Sequence, residues 1–263
     1  MALAGGCGGD STPRPGARPE VSAVGPSPSI GAVPVPATTP SPTAVVPTVS
    51  PPGCAEERGS LTTHVVAAIR VAVYLPPCAI GRVPAPRFRT LYLLHGGGTD
   101  ETQWPAIGLA QRADELIAAR EIVPLIVVMP DSGNDPADPS IVDSIVPWVD
   151  ANLPSARVRA IGGISAGGVA AMRIVARNPT LFSRLGGHSP VVDGSVVAGL
   201  AAWGKPIWLD VGAGDDLRPA VESLSSQLAA AGARSELQVW PGQHDRPYWA
   251  AHVADYLRFY AAP

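Results

Sequence analysis

The sequence predicts an α/β fold in which a mostly parallel central sheet carries helices on both faces. Three observations lead there. Short runs such as TLYLL (residues 90–94) and LIVVM (125–129) are apolar at every position, as strands are when both faces of their sheet are covered. These runs alternate with longer stretches of helical spacing, the rhythm of strand–helix units in a parallel sheet. Proline or glycine closes most segments, so the elements are well delimited.

Each element follows in order. Residues 65–74 (VVAAIRVAVY) are rich in β-branched residues and end at Pro76-Pro77, which predicts a strand. One or two strands this early, so close in sequence, are expected to pair antiparallel. Residues 90–94 form the next strand and run into His95-Gly96-Gly97-Gly98. Residues 107–120 fit a helix with Leu109, Ala113, Leu116 and Ile117 on one face. Residues 125–129 are a buried strand stopped by Pro130, and 140–153 a helix with Ile141, Ile145, Trp148 and Val149 inward. Residues 157–161 read as strand, 169–177 as a helix ending before Pro179, and 181–187 as a short strand. A strand at 207–211, a helix at 219–231 capped by Gly232, a strand at 236–240 and a closing helix at 248–260 complete the pattern.

Composition divides the chain. Of 30 prolines in 263 residues, twelve fall within residues 1–53. That lead is Pro, Ser, Thr, Ala and Val without an apolar face. It cannot bury enough surface to offset the entropy of ordering it, so it predicts a semi-stiff, disordered tether. Residues 54–263 are enough for one domain with a large core. The first seven residues, Met-Ala-Leu-Ala-Gly-Gly-Cys, resemble the end of a bacterial lipoprotein signal. Cys7 would then be lipidated and the tether would hold an exported body off the membrane. Only Ala2, Leu3 and Ala4 precede the glycines, against the roughly 7–15 apolar residues of a signal peptide, so this reading needs a start further upstream. The plainer reading is a featureless tail.

The three cysteines lie at 7, 54 and 78. With Cys7 lipidated, Cys54 and Cys78 remain as an even pair. A disulfide between them would contribute about 3 kcal/mol and belongs to an oxidising compartment; the alternative is two buried thiols. No Cys-x-x-Cys or Cys/His ligand spacing suggests a metal site. Nineteen Lys and Arg face 22 Asp and Glu with no basic run, which excludes a phosphate-neutralising nucleic-acid surface. No uninterrupted apolar run approaches the ~18 residues that span a bilayer.

Gly163-Ile164-Ser165-Ala166-Gly167 is G-x-S-x-G between a predicted strand and a predicted helix, where a nucleophile elbow sits. A sharp strand-to-helix turn leaves no room for side chains beside the serine and projects its hydroxyl outward. A serine hydroxyl needs a base, and the base an orienting acid. In hydrolases of this architecture the order is Ser, acid, His. His188 comes too soon after Ser165 to leave a strand and helix for the acid. His252 lies inside the closing helix, where a packing role fits. His244 sits in the loop after the last strand and is the candidate base. The acid should follow the preceding strand, where Asp215 in Gly212-Ala213-Gly214-Asp215-Asp216 has the Gly-x-x-Asp spacing and is preferred to Asp216. Asp210 lies within the strand itself. The glycine run after His95 suits an oxyanion hole, because backbone N–H groups must approach the developing charge closely. The expected donors are the N–H groups of Gly97 and Ala166. His95 reads as a brace beneath that loop.

At this point five segments resemble the esterase D, feruloyl esterase and enterochelin esterase group of α/β-hydrolases, which includes the trehalose mycolyltransferases. They are LYLLHGGGTDETQW (91–104), IVVMPD (126–131), IGGISAGG (161–168), FSRLGGHSP (182–190) and PGQHDRPYW (241–249), spread over residues 65–260. The resemblance implies an α/β-hydrolase fold and a metal-free, cofactor-free serine esterase with Ser165 as nucleophile, His244 as base and Asp215 as acid. The lead lies outside the family's core pattern, and the stretch after Pro130 is compact, so the substrate does not carry over. Only about 17 residues separate the strand ending near Gly187 from that at 207–211, too few for an inserted lid domain. The expectation is an open cleft for short or bulky polar esters, small or glycan-linked. An acyltransferase to a sugar hydroxyl would use the same triad. A non-catalytic surface-binding domain is the reading from another class.

Overall fold

The sheet opens with a hairpin. In this computed structural model, which describes residues 57–80, 86–131 and 139–262, β1 (Ser60–Val66) pairs antiparallel with β2 (Ile69–Leu75). Val66 faces Ile69, so two residues make the turn, and both Ala67 (φ 50) and Ala68 (φ 68) are left-handed. That is the backbone of a type I′ turn, usually announced by Asn-Gly or Gly-Gly. Alanines hid it, which is why residues 65–74 read as one strand.

The remaining strands are β3 (Phe88–Leu94), β4 (Leu125–Pro130), β5 (Ser155–Ile164), β6 (Arg184–His188), β7 (Ile207–Gly212) and β8 (Ser235–Trp240). The order across the sheet is β1-β2-β4-β3-β5-β6-β7-β8. β2 runs antiparallel to β1 and β4, and every pairing from β4 to β8 is parallel. This is the mostly parallel sheet the apolar runs predict.

Among the described residues seven α-helices cover it: α1 (Gln103–Ala106), α2 (Leu109–Ala118), α3 (Val146–Asn152), α4 (Ala166–Arg177), α5 (Val197–Trp203), α6 (Arg218–Ala230) and α7 (Arg246–Ala261). Alternate strand residues feed two cores, as a pleat requires. Tyr92, Leu94, Ile126 and Val128 pack with α3, α4, α5 and α6 on one face. Leu91, Leu93, Val127 and Met129 pack with α1, α2 and α7 on the other. Each fully buried Leu or Val there contributes about 1.5–3 kcal/mol of hydrophobic stabilisation. The edge strands are less covered: five of the seven residues of β1 are exposed.

Three departures from the sequence reading have local causes. The helix expected over 107–120 begins at Leu109, because Gly108 at φ 86 separates it from the short α1 that precedes it. The helix over 140–153 begins with a π-helical turn, Ile141–Ile145, just ahead of Pro147 in α3. Proline lacks the N–H that an α-turn needs there, and a wider turn absorbs the loss. The segment 189–205, to which the sequence reading assigned no element, carries the two-turn crossover helix α5, and it holds no lid domain, as expected. No helix of the described residues is long and apolar enough to cross a membrane.

The chain leaves β3 toward β4 on one side and returns to β5 on the other. Ligands of open α/β sheets bind outside the carboxyl ends of the strands at such a reversal. The loops leaving β3 and β5 therefore flank the expected crevice.

Candidate active site

Ser165 stands between the last residue of β5 and the first of α4, with φ 52 and ψ −114. A left-handed serine is strained, and its surroundings hold it there. Its N–H donates to His188 O (2.9 Å), and its carbonyl accepts from Gly168 N (3.0 Å) and Val191 N (3.1 Å). The flanking glycines are required by space. A Cβ on Gly163 would lie 2.4 Å from Gly167 O, and one on Gly167 would lie 2.5 Å from His95 O. The elbow is thus wedged against the end of β3.

The structure brings the predicted serine, histidine and aspartate together. His244 Nε2 is 3.0 Å from Ser165 Oγ, and His244 Nδ1 is 2.8 Å from Asp215 Oδ2. With Nδ1–H donating to the carboxylate, Nε2 is left as the acceptor for the serine proton. Asp215 is buried and its other oxygen, Oδ1, accepts from Leu217 N at 2.8 Å. Asp216, the alternative acid, is exposed. The His244 ring is a third exposed and meets Trp249 edge-on, with centroids 5.1 Å apart. A base there is open to substrate yet oriented from behind.

The glycine loop after β3 is fixed from within. Gln103 Oε1 accepts from Gly96 N (2.7 Å), and Thr99 Oγ1 donates to Gly96 O (2.7 Å). Gly97, next along, is exposed. Ala166 is the first residue of α4, so its N–H has no carbonyl one turn behind to bind. His95 is buried, with Nδ1 2.8 Å from Gly96 O and Nε2 3.5 Å from Asp131 Oδ1. It braces the loop, as expected. His252 packs flat on Trp240 at 3.9 Å and also fills a packing role. A groove of about 380 Å³ is lined by residues including Thr99, Asp100, Gln103, Ile107, Arg246 and Trp249. Trp249 is common to the groove and the His244 ring.

Cys7 and Cys54 lie outside the described residues; Cys78 is half-buried just after β2. Among the described residues no group of His, Cys, Asp and Glu is arranged to hold a metal ion.

The model of the Esterase family matches residues 64–215. The chain belongs to the Esterase family. The match spans Ser165 and Asp215 and ends before His244, so the place of the histidine rests on the geometry above. A curated relative in the neighbourhood of this family is the endo-1,4-β-xylanase/feruloyl esterase of Xylanibacter ruminicola. It is 36% identical over 134 residues, covering 43% of this chain and 18% of the relative. This chain therefore spans less than a fifth of that protein's length. Among solved structures, a ferulic acid esterase superposes with a TM-score of 0.69 at 19% identity, covering 78% of this chain and 98% of the other. The S-formylglutathione hydrolase of Staphylococcus aureus superposes at 0.64 with 18% identity, covering 76% and 94%. These likenesses establish an α/β-hydrolase fold for this Esterase family member.

Sequence reasoning missed a second cluster behind the site. Asp210, which the sequence placed within its strand, and His188, set aside as too early, are both fully buried and bonded to each other, Nδ1 to Oδ2 at 2.6 Å. A signal existed: Tyr248, His252, Tyr256 and Tyr260 recur every four residues along α7 and form one polar-tipped aromatic stripe.

Proposed function

We propose that this chain is a serine carboxylic ester hydrolase acting through Ser165, His244 and Asp215. The observation that carries the reading is the continuous hydrogen-bonded line from Ser165 Oγ through His244 to Asp215, anchored on a strained serine at a strand–helix turn. His244 Nε2 takes the Ser165 proton as Oγ attacks the ester carbonyl carbon, and Asp215 stabilises the imidazolium that forms. The oxyanion is received by the N–H groups of Ala166 and Gly97. Collapse breaks the ester bond, and the departing alcohol takes the proton from His244. Water, deprotonated by His244, then attacks the acyl-enzyme, releasing the acid and restoring Ser165.

The cleft is open, with only α5 in the segment where a lid would be inserted. This favours short or bulky polar esters, and the names of the relatives make hydroxycinnamoyl esters the first to test. Fluorophosphonate labelling of wild type beside Ser165→Ala tests the reading. A label that depends on Ser165 is expected; labelling that survives the substitution, or no labelling of wild type, overturns it.

We read residues 1–53 as a tether bearing the Cys7 anchor, and residues 54–263 as the exported catalytic domain closed at its edge by Cys54–Cys78. Alkylation mass spectrometry before and after reduction checks the bridge: two additional modified cysteines after reduction are expected.

A further inference from the structure

Behind the site lies a buried polar network that the reaction above does not use. Asp210 on β7 is fully buried and accepts four hydrogen bonds. Its Oδ2 accepts from His188 Nδ1 (2.6 Å) and Trp208 Nε1 (3.0 Å), and its Oδ1 from Tyr248 Oη (3.0 Å) and Tyr256 Oη (2.9 Å). His188 on β6 is also fully buried, and its Nε2 lies 2.9 Å from Tyr260 Oη. Burial first, and then the Asp210 charge, push the hydroxyls of Tyr248, Tyr256 and Tyr260 well above their ordinary titration range. They stay protonated and donate. The cluster is completely satisfied, and such a network holds one arrangement more firmly than separate pairs do.

Its position matters more than its stability. His188 O receives the Ser165 N–H at 2.9 Å, and the next residue, Ser189, held at φ 45, donates its N–H to Asp210 O at 2.8 Å. The strand end behind the nucleophile is thereby tied to β7, which leads into Asp215. On the other side, the Tyr248 ring is the floor of the His244 loop. Gly242 there has φ 141, and a Cβ on it would lie 2.5 Å from Tyr248 Cδ2. Gly242 O in turn accepts from Gly214 N at 2.8 Å, next to Asp215. The elbow, the acid loop and the base loop therefore all rest on groups bonded to one carboxylate.

We propose that Asp210 and His188 are positioning residues that, through Tyr248, hold Ser165 and His244 in register with each other. The proposal rests on the serine-hydrolase reading. Loss of the tie lets the Ser165–His244 distance drift, and a displacement near 1 Å costs on the order of 100-fold in rate. Ester binding itself is left unchanged.

The test uses Tyr248→Phe, which keeps the ring under Gly242 and removes only the bond to Asp210. Its matched control is Tyr74→Phe, which removes another buried tyrosine–carboxylate bond, to Asp114 at 2.7 Å, far from any loop of the site. With p-nitrophenyl acetate, Tyr248→Phe is expected to lower kcat about 10-fold at unchanged KM. The fluorophosphonate labelling rate should fall in parallel, with one label still reached. Asp210→Asn should lower both further. Tyr74→Phe, at a similar loss of Tm, should keep kcat within about twofold. Wild-type kcat and labelling rate in Tyr248→Phe, or equal loss in both tyrosine variants, would overturn the positioning role while Ser165-dependent labelling of wild type leaves the hydrolase reading standing. A wild type that takes no label overturns both.

Discussion

The molecule holds two aspartate–histidine pairs of nearly identical geometry. In each, a histidine Nδ1 meets an aspartate Oδ2, at 2.8 Å for His244–Asp215 and 2.6 Å for His188–Asp210. They differ in what meets Nε2 and in what surrounds the ring. His244 turns Nε2 to the Ser165 hydroxyl and is a third exposed. His188 turns Nε2 to a buried tyrosine and has no exposure at all. The pair itself is therefore not what makes a site. A nucleophile within reach and an open face distinguish the one that can do chemistry from the one that can only hold position.

The sharpest way to break the comparison is to remove each histidine and read activity and stability together. His244→Ala is expected to lower kcat/KM for p-nitrophenyl acetate by about 10⁴-fold or more, as loss of the base does in triads, with little change in urea-unfolding free energy. His188→Ala should instead cost about 3 kcal/mol of stability, because it strips a partner from a buried carboxylate. The same urea titration reads both.

The choice of acid sharpens it next. Asp215→Asn should lower kcat on the order of 10³–10⁴-fold, since the amide favours the wrong imidazole tautomer. Asp216→Asn, at an exposed position with no bond to His244, should stay within about twofold. The pH-independent plateau of kcat for each variant gives the comparison.

Gly167→Ala tests the wedge that sets the elbow. Its new methyl would meet His95 O, and the expected cost is about 1–3 kcal/mol in unfolding free energy, with a slower labelling rate.

The smallest effect belongs to a carboxylate at the surface. Asp193 caps the turn ahead of α5, and hydrogen bonds from Ser195 first, then Arg173, lower its pKa from 3.8 to about 2. A lowered folded value means that its contribution to stability is present above pH 3.8 and fades as pH falls through about 2. Asp193→Asn should flatten that part of the Tm–pH curve, with a Tm slightly below wild type at neutral pH and nearly equal to it near pH 2.

What could be read in the chain follows from how local each cause is. G-x-S-x-G was legible because the turn at Ser165 excludes side chains from its immediate neighbours. The interior strands were legible because both their faces are buried. The hairpin at Ala67-Ala68 was not, since alanine carries no mark of a left-handed turn. Nor was the Asp210–His188 network, whose bonds join residues 22, 38, 46 and 72 positions apart.

By itself the sequence determined the class of fold and the place of the serine at the strand–helix turn, because period, composition and turn sterics act between neighbours. It narrowed the base to one loop and the acid to two adjacent residues. Only the tertiary structure decided that Asp215 and not Asp216 faces His244, and that His188 and Asp210 pair in the interior. Hydrogen bonds between side chains reach about 3 Å, and across the sheet that reach is set by how strands stack, which no stretch of sequence contains.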